Sequence, residues 1–137
     1  MSQTVRRLNP STMERPPGYT HVVEVTGPAR IVYFAGQLGV TKSGAFAGAA
    51  GDFKAQTVQA FENLKAALDA IGAGFEHLVK INNYIVDIER NMAAFREVRD
   101  RYLVASALPA STAIGVPALA RPGALFEIEA VAVVPAG

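Results

Sequence analysis

Glu127 and Glu129 stand two residues apart in the run LFEIEAVAVV, which is otherwise apolar. In an extended strand that spacing puts both carboxylates on one face. Carboxylates set among aliphatic neighbours answer to a nearby cation, a bound proton or a ligand. The preceding run, LPASTAIGV, offers the hydroxyls of Ser111 and Thr112 but no cation. Arg121 is the one cation between the two runs, and ARPGA around it reads first as a surface turn with Pro122 and Gly123. Glu129, one pleat beyond Glu127, reads as a structural acid. Asn82 and Asn83 are adjacent in a β-rich run, so they point to opposite faces, and one of them is placed to hydrogen-bond into a cleft or at an edge or interface.

Several other chemistries are set aside by composition. The chain has no cysteine, which removes disulfides and thiolate nucleophiles and fits a cytoplasmic setting. His21 and His77 lie far apart and belong to no ligand-spaced cluster, so neither a metal site nor a cofactor is expected. The formal charge is +1, with both signs interspersed. Arg96, Arg99 and Arg101 alternate with Glu97 and Asp100 and read as the wet face of a helix, so a nucleic acid partner is not expected. The apolar runs are far shorter than a membrane span, and no signal peptide is expected.

The elements that must position these residues follow from periodicity. A length of 137 residues, half of them hydrophobic, suits one domain with its own core. About the first sixteen residues are polar and proline-bearing and read as an arm, regular structure beginning near Tyr19. HVVEV and RIVYFAGQLG are β-rich runs separated by TGPA, which reads as a hairpin. From Asp52 to Ile71, apolar Phe53, Phe61, Leu64, Leu68 and Ile71 recur on one helical face, with Asp52 as N-cap and Gly72 and Gly74 expected to supply the left-handed turn at the end. HLVKINNYIVDI reads as a strand. A second helix is expected from about Asn91, its N-cap, to Leu103, with Met92, Phe95, Val98 and Tyr102 inward. STAIGV and ALFEIEAVAVV finish the chain as strands, with Thr112 expected on the helix side.

The order β-β-α-β-α-β-β predicts an α+β fold with a mixed sheet and both helices on one face. In the last strand Phe126, Ile128, Ala130 and Ala132 suit the helix side, while Leu125, Glu127, Glu129, Val131 and Val133 share the other. Leaving such aliphatics in water costs about 25 cal/mol per Å². An interface between subunits with a partly polar cleft reconciles aliphatics and acids on one face, so an oligomer is expected.

Taken in order, GYTHVV, FAGQLG, QTVQAFENLKAALDAIGAG, HLVKINNYIVDIE and FEIEAVAV resemble the RidA/YjgF family, also called L-PSP endoribonuclease-like, from about Tyr19 to Val134. The resemblance implies a chorismate-mutase-like fold, a homotrimer built around a barrel, and small-molecule clefts between subunits. Well-known members hydrolyse enamines and imines to keto acids and ammonia. Carried onto this chain, the resemblance places Tyr19, Gly36, Ser111 and Ala113 against the ligand and Glu127 at the attacking water, a candidate general acid/base wherever that water lies within hydrogen-bond reach. It also implies an arginine in a PAR motif that clamps a substrate carboxylate, where this chain reads PAST and has Ser111. A serine carries no charge and offers one hydroxyl in place of a bidentate, charge-assisted pair. Ser111, Ala113 and Gly115 alternate onto one face and are all small, so the pocket should also be roomier. Two readings stay open: a hydrolase of enamine or imine substrates that lacks the usual clamp, and a non-catalytic small-molecule binder. The RNA cleavage associated with some relatives fits poorly with the balanced charge and the lack of a histidine pair.

Overall fold

A computed structural model of the chain describes residues 5–136. Six strands and two helices follow in the order β1 (Val5–Leu8), β2 (Val22–Val25), β3 (Ala29–Leu38), α1 (Phe53–Ala70), β4 (Leu78–Val86), α2 (Ile88–Tyr102), β5 (Ala110–Val116) and β6 (Phe126–Pro135), with a 3-10 turn at Phe75–His77 before β4. Four strands form the main sheet in the order β3-β6-β4-β5. β6 runs antiparallel to both β3 and β4, and β5 runs parallel to β4 through the α2 crossover. The mixed α+β architecture expected from sequence is the observed one.

Both helices cover one face of this sheet. Phe61, Leu64 and Leu68 of α1 and Phe95 and Val98 of α2 are buried in one cluster with Ile81, Ile85, Phe126, Ile128 and Ala132 from the strands. Asp52 caps α1 as expected, its Oδ1 accepting from Ala55 N at 2.9 Å. Beyond the helix Gly72 has the left-handed φ of 70°, while Gly74 is extended at −132° and makes no such turn. Met92 and Tyr102 are only partly buried at the margin of that cluster.

Three further expectations are corrected. HVVEV and RIVYFAGQLG do not form a hairpin: β2 pairs with β1 in a separate two-stranded sheet, and β3 pairs with β6. Gly27, whose φ is 78°, bends the chain between β2 and β3 without choosing the neighbour. β1, inside the stretch read as an arm, supplies that neighbour, and Arg6 meets Glu24 across the pair at 3.1 Å. Second, α2 begins at Ile88 and not after Asn91; Asn91 lies in the first turn, where Nδ2 donates to Val86 O at 2.8 Å. Ile88 packs closely over Gly115 of β5, so this contact extends the helix back to the end of β4. Third, Thr112 is exposed on the face away from the helices, where Lys80 Nζ donates to its hydroxyl at 3.0 Å.

Candidate functional site

The sheet divides the candidate residues into two groups, one on each face. On the open face, β6 pairs Glu127 with Tyr84 and Glu129 with Asn82 of β4. Tyr84 Oη donates to Glu129 Oε1 at 2.5 Å and Asn82 Nδ2 donates to the same oxygen at 3.2 Å. The bond to Glu129 holds the Tyr84 phenol above its ordinary range, with desolvation and the charges of Glu129 and Glu127 adding to it. Tyr84 is thus a fixed donor and Glu129 a committed acceptor, in keeping with the structural role read for it.

Glu127 is placed differently. Between Phe34 and Gln37, β3 advances three residues while β6 advances two, which makes a β-bulge at Ala35 and Gly36. The bulge lays the Glu127 carboxylate against bare Gly36, so closely that a Cβ there would come within 2.3 Å of Oε2. Among the described residues Glu127 accepts no hydrogen bond from a side chain, which leaves its half-buried carboxylate available to water or ligand. Sequence reasoning missed Gln56 in this arrangement. Its buried amide, set in the apolar face of α1, accepts from Leu125 N at 2.8 Å and donates to Gly123 O at 3.1 Å, fixing where β6 starts and hence where Glu127 falls. The signal available in sequence was one polar side chain among the inward positions of α1.

Ser111, Ala113 and Gly115 do share a face, as expected, but it is the helix side, opposite Glu127. Register sets Ser111 beside Ile81 and Ala113 beside Asn83, both fully buried. Asn83 Nδ2 donates to Ser111 Oγ at 3.2 Å and to Thr112 O at 3.1 Å. The carbonyl of Thr112 can only accept, so the amide cannot be turned over, and Asn83 Oδ1 is left buried without a partner. Ser111 accepts in this contact and keeps its own proton to donate. Ser111 and Ala113 border a cavity of about 100 Å³ whose other walls include Pro17, Tyr19, Phe95 and Arg99. Tyr19 meets His21 edge to face, with ring centroids 5.5 Å apart.

Arg99 was read with Arg96 and Arg101 as part of a wet helix face. Arg96 and Arg101 are exposed, but the Arg99 side chain is only 9% exposed. Its Nε donates to Asp100 at 2.9 Å and its Nη2 to Pro17 O at 3.3 Å, and its guanidinium carbon lies 5.7 Å from the centre of the Phe95 ring. Arg121, by contrast, is the surface group that the turn signature implied: it donates to Gly44 O and lies over Phe46. His21 bonds Glu14 O and His77 receives Gly74 N, and the described residues hold no cluster of metal-ligating groups. No helix among them is long and apolar enough to cross a membrane.

Known proteins agree with this architecture. The family model for Endoribonuclease L-PSP matches residues 12–134. A RutC family protein of Aquifex aeolicus is 34% identical over 116 residues, covering 84% of this chain and 87% of that one. A protein of Dermatophagoides farinae named 2-iminobutanoate/2-iminopropanoate deaminase is 31% identical over 119 residues, 85% of each chain. Among solved structures, the Rid-family protein YyfB of Yersinia pestis superposes with a TM-score of 0.81 at 33% identity, covering 96% of this chain and all 100% of that one. RidA from an Antarctic Psychrobacter gives 0.69 at 31% identity, over 97% and 100% of the two chains. With the strand order, the helix layer and these matches in agreement, the chain belongs to the Endoribonuclease L-PSP family, the RidA/YjgF group.

Proposed function

We propose that this protein hydrolyses a small enamine or imine in clefts formed between copies of the chain, with Glu127 as general acid/base. The observation that carries the reading is the Glu127 carboxylate, laid against Gly36 by a bulge and free of side-chain hydrogen bonds beside an exposed apolar face. Water adds to the C=N carbon as Glu127 takes its proton. That proton passes to nitrogen to give a carbinolamine; Glu127 then takes the hydroxyl proton and returns it to the amine as the C–N bond breaks, so one water enters and one ammonia leaves with a carbonyl product. The 31% identical relative named as an iminobutanoate/iminopropanoate deaminase supports this class of chemistry.

Tyr19, Ser111 and Ala113 lie across the sheet from Glu127 and Gly36, so one ligand meets both groups only if a second copy's open face covers the first copy's helix-side edge. A homotrimer, as the resemblance implies, closes three such clefts. The alternative, a small-molecule binder without turnover, draws on Ser111, which brings no charge to the strand where the resemblance implies an arginine.

The test is ammonia and keto-acid release from 2-iminopropionate generated in situ, wild type against Glu127→Ala. The expected result is acceleration by wild type and a loss of about 10²-fold or more in the variant with its assembly intact. Equal turnover in the two proteins sinks the assignment of Glu127, and an inert wild type that still binds product selects the binder.

A further inference from the structure

We propose that Arg99, on α2, is the ligand-binding cation of the cavity beside Ser111, and that this cavity takes a small monocarboxylate. The inference rests on the reading of the cleft above, and it supplies from a helix the charge that β5 lacks.

A guanidinium that is nine-tenths withdrawn from solvent needs a reason, since burying charge is costly unless it is paired or put to use. The pairing that Arg99 has is thin. Asp100, its only carboxylate partner among the described residues, is 66% exposed, and a contact so open to water contributes little. Pro17 O is a neutral acceptor at the long distance of 3.3 Å. These bonds use Nε and Nη2, which leaves Nη1 available.

The group is also held in place. Phe95 lies against it, and Gly18, with φ of 127°, packs its backbone so closely that a Cβ would come within 2.6 Å of Nη2. A cation fixed in advance loses little freedom when it binds.

The lining of the cavity decides the sign of the ligand. Its walls include Arg99 and the exposed Arg96, and no acid. Ser111, which accepts from Asn83 and lines the cavity, keeps its own proton and is free to act as a neutral donor. The groups that converge are thus donors, which suit a carboxylate. Small Ala113 and Ser111 leave about 100 Å³, ample for such a head group. An arginine placed on β5 at Ser111 would occupy this same space, so the two solutions exclude each other.

The test compares pyruvate with its uncharged amide, pyruvamide, by calorimetry on the full chain. The expected result is that wild type binds pyruvate at least about tenfold more tightly than pyruvamide, and that Arg99→Met, folded by circular dichroism, loses this preference. Should Arg99→Met fail to fold, the wild type still decides: the Arg99 Nε–H resonance, assigned through Arg99→Lys, must move as pyruvate is titrated. Ser111→Arg is expected to weaken pyruvate binding by crowding the cavity. The inference is overturned by equal affinities in wild type, by absence of pyruvate binding, by a still resonance, or by a gain of tenfold in Ser111→Arg. None of these readouts involves turnover. An inert enzyme with an intact carboxylate preference therefore defeats the catalytic reading alone, and an active enzyme indifferent to Arg99 defeats this one alone.

Discussion

Glu129 accepts from Tyr84 and Asn82, while Glu127 lies against the bare backbone of Gly36. The two acids share a strand face, and what separates their chemistry is the neighbour across each strand. Gly36→Ala tests the contact directly. Its new Cβ meets the far end of a flexible side chain, so Glu127 swings aside and the fold persists. Turnover is expected to fall about 10²-fold, the scale of a displaced reacting group, with a melting temperature within a few degrees of wild type. Gly39→Ala is the control: there a Cβ would come within 2.3 Å of Gln56 O and 2.4 Å of its Cα, backbone atoms of α1 that cannot turn away. A destabilisation of about 1–3 kcal/mol or more is expected in thermal melts. If the two variants melt alike, the yielding role given to Glu127 is wrong. At this scale the acids were legible because charge in an apolar strand is conspicuous. Their division of labour was not, because a bulge in β3 leaves no mark in the sequence of β6.

Helix α1 was legible nearly to the residue, since its apolar steps and its Asp52 cap are local signals. Helix α2 was less so. Its start is set by Ile88 against Gly115, and the burial of Arg99 by Pro17 and Gly18, all contacts between residues distant in sequence. The two helices also meet through Tyr102, whose Oη donates to Glu62 Oε2 at 2.6 Å. Desolvation first, and then this bond to Glu62, push the phenol up to about 12. A group whose folded pKa is raised favours the native state fully below its unfolded value, about 10 for tyrosine, and loses that contribution as pH rises through the folded value. The stabilisation from Tyr102 is therefore intact at neutral pH and drains away between about pH 10 and pH 12. Denaturant midpoints across that window are expected to fall more steeply for wild type than for Tyr102→Phe. Parallel curves would remove Tyr102 as the cause.

The molecule as a whole leaves its second sheet face uncovered. Tyr33 is 78% exposed, Ile31 56% and Ile114 45%, all on the side that carries Glu127 and Glu129. Apolar side chains clustered around half-buried acids suit a surface that meets another copy of the same chain. Sedimentation of wild type at micromolar concentration is expected to show a trimer, and Tyr33→Asp, which puts a charge on the most exposed apolar position of that surface, is expected to shift it to monomer. A monomeric wild type would leave the cleft between copies without a second wall.

Sequence by itself determined the fold class, the extent of α1, the two-faced pattern of β6 and the family resemblance, because each rests on periodicity or on motifs read in order along the chain. Only the tertiary structure decided that β2 turns to β1 and not to β3, that Ser111 faces the helices while Glu127 faces away, and that Arg99 is buried at a cavity. Strand partners and buried charge depend on residues brought together from far along the chain. A local pattern states which way a side chain alternates, but only the assembled sheet states what it meets.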